Sequence, residues 1–334
     1  MTMKAVLMTS VGGPEVLDLH DVPIPQIKHD TDMLVRLYAA GINPVDTKLR
    51  ARGTYYPDRL PCILGCDGAG VVESVGSAVT RFKAGDAVYF CHGGIGSHPG
   101  NYAQYAVVDE RFVARKPNSL DFAQAAAAPL VLITAWESLF QRTQVQPGDH
   151  ILIHAGAGGV GHMAIQLACL HGAQVATTVS TADKAHFVEE LGASRAILYR
   201  KENFVTTSLQ WTQNRGVDMA LDTVGGDTFI NSLSAVKIYG DLVTLLEPPA
   251  GCDWKTARIR NLRVGFELML TPMYRHLVGA LQQQADILRR GAELFDAGKL
   301  KIHIHSSFPL AEAAAAHRLM LQESIKGKVV LTID

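Results

Sequence analysis

His150-Ile-Leu-Ile-His-Ala-Gly-Ala-Gly-Gly-Val-Gly161 decides the fold. Ile151, Leu152 and Ile153 form an apolar run long enough for a strand buried on both faces. Gly156, Gly158 and Gly161 follow at Gly-x-Gly-x-x-Gly spacing, with Gly159 and Val160 between the last two. Met163, Ala164, Leu167 and Ala168 then recur at helical intervals. Strand, glycine turn and helix in that order read as a dinucleotide-binding unit. The first glycine permits a tight turn, the second lets the backbone approach a pyrophosphate, and the third lets helix and strand pack closely. Free N–H groups at the helix start, together with the helix dipole, favour the phosphates.

The chain has 334 residues, enough for one or two domains with a large core. Its formal net charge is −1 and no Lys/Arg run stands out, which argues against a nucleic-acid or anionic-membrane surface. Cys62, Cys66, Cys91, Cys169 and Cys252 are scattered, with no Cys-x-x-Cys pair. That fits a reducing compartment without a disulfide framework. The start, Met1-Thr-Met-Lys-Ala-Val-Leu-Met, reads as a first strand and not as a secretory signal. No apolar stretch approaches the ~20 residues of a membrane span, so a soluble cytoplasmic protein is expected.

Upstream of the glycine turn the chain alternates short strands with Gly, Pro, Asn and Asp clusters. Lys4–Met8, Val16–His20, Met33–Ala40, Gly70–Val75, Ala87–Phe90 and Tyr102–Val108 are the candidate strands of an irregular barrel or sandwich. Asp121 is the expected N-cap of an Ala-rich helix that Pro129 breaks or restarts, and Thr134 to Phe140 continues as a second helix. Downstream, strands alternate with helices. Gln174–Val179, Arg195–Tyr199, Met219–Thr223, Asp241–Leu246 and Val264–Leu270 are the strands, and Thr181–Leu191 is a helix. This alternation predicts a parallel, doubly wound sheet. A long helix over Tyr274–Ala297, a strand over Lys301–Phe308, a helix over Leu310–Glu323 and a strand over Gly327–Ile333 close the chain.

An NAD site would place a carboxylate at the tip of the second strand, ~20 residues after the first glycine. Here that strand ends Thr177-Thr-Val-Ser-Thr, with Ser180 at the tip and Lys184 one helical turn on. A hydroxyl and a cation suit a 2′-phosphate, and Tyr199 with Arg200 can complete the pocket. NADPH is therefore the expected cofactor, with Asp183 as the dissenting residue. The bland alternatives place Lys184 on a solvated helix face and Tyr199 in the core.

Ala39-Ala-Gly-Ile-Asn-Pro-Val-Asp-Thr, Gly53-Thr-Tyr-Tyr-Pro and Pro61-Cys-Ile-Leu-Gly-Cys-Asp-Gly-Ala-Gly-Val-Val stand ahead of the glycine turn. Asp222-Thr-Val-Gly-Gly, Phe308-Pro-Leu-Ala-Glu-Ala-Ala-Ala-Ala-His-Arg and Gly327-Lys-Val-Val-Leu follow it. The set resembles the medium-chain dehydrogenase/reductase superfamily, and within it the zinc-free quinone oxidoreductase branch that includes zeta-crystallin. The resemblance covers nearly the whole chain. It implies an α/β protein: a GroES-like, mainly-β catalytic domain over residues 1–125, a Rossmann NADP-binding domain over 126–272, and a return to the catalytic domain over 273–334. It also implies a homodimer or tetramer. An apolar end strand at Val264–Leu270 would leave an open sheet edge, which independently favours a homodimer.

Zinc-using relatives carry a Cys where this chain has Asn43, a His where it has Cys66, and a Cys near Pro129–Leu132, where none occurs. The four-cysteine structural-zinc loop is also missing. Catalytic zinc needs three protein ligands, so no metal is expected. Cys66 then reads as a small buried residue, and His92 and His98 as solvated loop histidines. By resemblance, Asn43 and Tyr55 lie near nicotinamide and substrate, Asp46 matches the family pattern, and Thr134, Val224 and Gly225 belong to the cofactor site. Lys48 departs from the family, in which Tyr is common there. From the residues alone, Asn43 can instead cap a turn before Pro44, and Asp46 a helix beginning near Thr47. The expected activity is NADPH-dependent hydride transfer to a quinone or α,β-unsaturated carbonyl. Alternatives are an enoyl-thioester reductase with Arg258, Arg260 and Arg263 as a basic rim, a zinc alcohol dehydrogenase-like enzyme, and an NADPH-binding protein of crystallin-like, non-catalytic role.

Overall fold

The computed structural model describes residues 1–322 and 324–334. The first part of the chain runs β1 (Thr2–Met8), β2 (Leu17–Pro23), β3 (Asp32–Ile42), α1 (Pro44–Arg52), β4 (Cys62–Ile63), β5 (Asp67–Val75), β6 (Ala87–Cys91), β7 (Tyr105–Asp109) and β8 (Val113–Arg115). α2 (Phe122–Ala127) and α3 (Pro129–Trp136) follow. The middle part is β9 (His150–Ile153), α4 (Gly159–Leu170), β10 (Gln174–Val179), α5 (Ala182–Glu190), β11 (Arg195–Leu198), α6 (Phe204–Trp211), β12 (Val217–Asp222), α7 (Asp227–Ala235), β13 (Val236–Thr244), α8 (Lys255–Ile259) and β14 (Arg263–Phe266). α9 (Thr271–Tyr274), α10 (Val278–Asp296), β15 (Ile304–Pro309), α11 (Ala313–Gln322) and β16 (Lys328–Thr332) end the chain.

Two compact units result: Met1–Ile133 together with Leu270–Asp334, and Thr134–Met269. In the first, β3 is the hub of a sheet ordered β15-β16-β3-β5-β6-β8. Its first half pairs with β7 and its last four residues with β16, while β5 runs along the other side. β7 and β16 thus share one side of β3 along different segments, and two register shifts interrupt its ladder with β5 on the other. β1, β2 and β4 form a separate small sheet.

In the second unit six parallel strands lie in the order β11-β10-β9-β12-β13-β14. The sequence runs outward from β9 in one direction and then from β12 in the other, so the strand order reverses beside β9. Ligands bind at such switch points, outside the carboxyl ends of the strands. Leu152, Ala176, Ile197, Ala220 and Leu242 of successive strands pack with Phe229 and Leu233 of α7 into one buried cluster.

Several expected boundaries shift for local reasons. Val264–Leu270 is not one strand: β14 stops at Phe266, and Leu270 is the N-cap of α9, which starts with Pro272 in its first turn. The helix expected over Tyr274–Ala297 is interrupted between α9 and α10, where His276 adopts φ 54°. The strand expected to begin at Asp241 begins at Val236. Leu310–Glu312 is a 3₁₀ turn before α11, and the expected helix end at Glu323 lies outside the described residues. Among the described residues no helix is long and apolar enough to cross a membrane.

Candidate functional site

The glycine turn joins β9 to α4, and each glycine meets a different constraint. A Cβ on Gly156 would run into Thr177 of β10, approaching its Cβ to 2.9 Å. One on Gly161 would strike the Ala155 carbonyl oxygen and come within 2.7 Å of Gly156 Cα. On Gly158 a Cβ would meet only Ala155 O, at 3.2 Å. Protein packing therefore forces glycine at Gly156 and Gly161, whereas the space over Gly158 stays open. Gly158 is the N-cap of α4, so the first N–H groups of that helix, from Gly159 and Val160 onward, face the same way. Ala155 enters the turn at φ 51° and its N–H donates to Thr178 Oγ1 at 3.1 Å. His154 holds the turn from behind, 3.2 Å from Thr178 Oγ1 and 2.9 Å from Ser232 Oγ. Burial lowers its pKa to about 4, so the ring is neutral.

The neighbouring strand tips complete this edge. Ser180 follows β10 and Tyr199 follows β11, and these strands pair in register up to Val179 and Leu198. Thr181 caps α5 by accepting from Lys184 N. Lys184 itself is buried and has contacts within the chain, so the solvated-face reading fails. Tyr199 is half exposed and not a core residue. Beyond β12, Asp222 Oδ1 accepts from Val224 N at 3.0 Å and Gly225 N at 2.9 Å. Its other oxygen accepts from Thr244 Oγ1 at 2.9 Å, so a buried carboxylate fixes the Val224–Gly225 turn. Thr134 is buried on α3.

In the other unit a polar cluster fills the junction of β3, α1, β5 and β16. Asn43 is the N-cap of α1, which starts at Pro44 and not near Thr47. Asp46 is consequently the third residue of the helix, and its Oδ2 accepts from Asn43 N at 2.8 Å. Burial is the main force raising the Asp46 carboxyl, to about 7. Asn43 is wholly covered; its Nδ2 donates to Asp67 Oδ2 at 2.9 Å and its Oδ1 accepts from the Lys328 ammonium. Asp67 Oδ1 accepts from Leu130 N at 2.9 Å. The segments around Asn43, Cys66 and Leu130 thus converge on a buried carboxylate–ammonium pair. A hydrogen bond from Cys91 pulls the Cys66 thiol down, but burial and the Asp46 and Asp67 carboxylates outweigh it, and the thiol is pushed up overall. Asn101 Nδ2 ties down the loops by donating to the carbonyls of Gly65, Cys66 and His92 at 2.9–3.1 Å.

Tyr55 lies in the loop after α1, half-buried, its ring 4.9 Å from that of Tyr274. Its hydroxyl makes no hydrogen bond among the described residues, and burial raises its pKa, so it stays a protonated donor. Lys48 is exposed on α1. His98 is exposed, but His92 is not a solvated histidine: its ring stacks on Phe112 at 5.3 Å, and burial lowers its pKa to about 4.

The alcohol dehydrogenase GroES-like domain family matches residues 29–118, and the zinc-binding dehydrogenase family matches residues 191–331. A quinone oxidoreductase of Pseudomonas aeruginosa is 34% identical over 334 residues, covering 98% of this chain and 99% of its own. The chain belongs to the quinone oxidoreductase branch of the medium-chain dehydrogenase/reductase superfamily. An NADPH-dependent alkenal/one oxidoreductase of the Arabidopsis thaliana chloroplast is 34% identical, covering 98% of this chain and 79% of its own. Among solved structures, the quinone oxidoreductase of Escherichia coli complexed with NADPH superposes with a TM-score of 0.87 at 29% identity, covering 98% of this chain and 99% of its own.

Lys328 and Asp67 join the polar cluster, and Tyr274 meets the Tyr55 ring, without having been expected to from the sequence. Gly327-Lys-Val-Val-Leu was visible as a motif, but nothing local signals that its lysine turns inward. The basic rim considered for an enoyl thioester is largely committed elsewhere. Arg260 donates to Val236 O at 2.7 and 3.1 Å, and Arg263 pairs with Asp241 through two 2.7 Å contacts.

Proposed function

We propose that this chain is an NADPH-dependent reductase of quinones and α,β-unsaturated carbonyls that works without zinc. The observation that carries the reading is the match to quinone oxidoreductases along nearly the full length of both chains. The site agrees with it. The open space at Gly158, the first N–H groups of α4 and the carboxylate-free tip of β10 fit a dinucleotide carrying a 2′-phosphate. Bound there, NADPH supplies the hydride. Ser180, Lys184 and Tyr199 are the residues we assign to the 2′-phosphate, and Thr134, Val224 and Gly225 to the rest of the cofactor. Tyr55 is the donor we assign to the acceptor oxygen, because its O–H is protonated and makes no hydrogen bond among the described residues.

Zinc fits poorly at Asn43, Cys66 and Leu130. Asn43 supplies a neutral amide, burial and neighbouring carboxylates keep the Cys66 proton on sulfur, Leu130 offers a backbone N–H, and an ammonium stands among them. A homodimer is supported by β14, which pairs only with β13 among the described residues and exposes Phe266. The free cysteines suit a reducing, cytoplasmic setting.

The test is steady-state turnover of a quinone and enone panel by chelator-treated protein, beside Tyr55→Phe. Turnover should survive the chelator, and Tyr55→Phe should lower kcat on the order of 10²-fold while sparing NADPH affinity. Wild-type kcat in Tyr55→Phe would remove Tyr55 from the mechanism. NADPH binding without turnover of any panel member would favour a non-catalytic role.

A further inference from the structure

Lys328 opens β16 with only 3% of its side chain exposed. Its ammonium donates to Asn43 Oδ1 and lies 3.4 Å from Asp67 Oδ2. An ammonium has three donors and no acceptor, and a carboxylate only accepts. The two groups together therefore fix which way the Asn43 amide faces: oxygen to Lys328, nitrogen to Asp67. The reversed amide would set N–H₂ against the ammonium and oxygen against the carboxylate. Nδ2 carries two hydrogens, and Asp67 is its one acceptor among the described residues. Among the described residues the second hydrogen has no acceptor of its own, an arrangement that costs stability unless a ligand uses it.

We infer that Lys328 is a positioning residue which, with Asp67, locks the Asn43 amide so that its spare N–H is held for the oxygen of the acceptor. The inference rests on the reductase reading above. Asn43 is wholly covered, so contact with the acceptor requires that the amide be uncovered. Asp67 is faced by Lys328 from β16, by Asn43 and Asp46 at the start of α1, by Cys66 beside it, by Cys91 from β6 and by Tyr102. Burial raises the Asp67 carboxyl, and Lys328 is the largest influence holding it down. Without that ammonium Asp67 keeps its proton to higher pH. A protonated Asp67 donates to Asn43 and allows the amide to turn over.

Lys328→Met, Lys328→Gln and Lys328→Arg are compared with wild type as NADPH-loaded enzymes reducing benzoquinone, from mildly acidic to alkaline pH. Lys328→Met should lose about 100-fold in kcat, with little change in KM or NADPH affinity, and its kcat should climb with pH as Asp67 ionises. Lys328→Arg should keep most of the rate and the wild-type profile. A purely structural lysine would lower the melting temperature without creating a pH slope. Wild-type kcat with an unchanged profile in Lys328→Met overturns the inference. If that variant does not fold, Lys328→Gln takes its place, with the same slope expected and the same result overturning. If wild type reduces no member of a quinone and enone panel, the reductase reading falls. The lock is then judged by the Asn43 side-chain amide resonances of nitrogen-labelled protein. These should be protected from exchange in wild type and not in Lys328→Gln; equal protection in both overturns it.

Discussion

Gly158→Ala separates what the glycine turn does for the fold from what it does for the cofactor. Gly158 adopts φ −77° and ψ 179°, extended backbone open to any residue. An alanine Cβ there would touch only Ala155 O, at 3.2 Å. The expected stability loss is under about 1 kcal/mol, the difference between a glycine and an alanine N-cap. Gly161→Ala is the control. Its Cβ would strike Ala155 O and sit 3.0 Å from the Ala155 carbonyl carbon, overpacking that costs about 1–3 kcal/mol. The order reverses for selective effects on binding. If the pyrophosphate closes over Gly158, a methyl group there forces it away and weakens a charge-assisted hydrogen bond, worth about 1.5–3 kcal/mol or roughly 10- to 150-fold in NADPH affinity. Fluorescence titration with NADPH and urea unfolding of both variants give the two quantities. Gly158→Ala with wild-type affinity would refute the assignment of the open space to phosphate. A Gly158→Ala protein as unstable as Gly161→Ala would refute the packing argument.

Lys184→Ala should weaken NADPH by about 10- to 150-fold and leave NADH within a few-fold, if the ammonium reaches the 2′-phosphate; equal losses for both cofactors in separate titrations would remove Lys184 from that role. Asp46→Asn should change how stability depends on pH. Burial raises Asp46 from 3.8 to about 7, so the folded chain holds a proton that the unfolded chain has lost. Its contribution is complete below the unfolded value and disappears as pH rises through the folded one. Urea unfolding across that window should show wild type losing ground to Asp46→Asn by up to ~1.4 kcal/mol per pH unit, and parallel curves would contradict the raised carboxyl.

What the sequence made legible was local. Gln174–Val179 is a strand with those same ends, because its apolar run is bounded by Gly172 and by the turn at Ser180. Asp121 caps α2 by accepting from Gln124 N at 2.7 Å, and Gln124 reaches back to Asp121 N at 3.1 Å, a pairing written in residues three apart. What stayed hidden depends on distant partners. Lys328 meets Asn43 across 285 residues, and no periodicity announces a lysine pointing into a core. Lys184 was expected at the 2′-phosphate, and only the competing placement on a solvated helix face fails, because the residue is covered by parts of the chain that its own helix does not announce. His92 sat in a glycine-rich loop that looks solvated until Phe112 is brought against it. The helix expected from Tyr274 onward broke at His276, where a left-handed residue interrupts a pattern whose apolar spacing continues. Asp46 was read one turn out of place because Pro44 starts the helix, as proline can at a first helical position.

The central claim is direct hydride delivery from NADPH to an electron-poor acceptor without a metal. It is tested most directly by giving chelator-treated protein an α,β-unsaturated ketone and NADPH deuterated at the reactive carbon of the nicotinamide. The account predicts saturated ketone with the deuterium on its β-carbon, formed at the rate seen before the chelator. Saturated ketone without the label, reduction confined to the carbonyl group, or activity that returns only when zinc is added would contradict it.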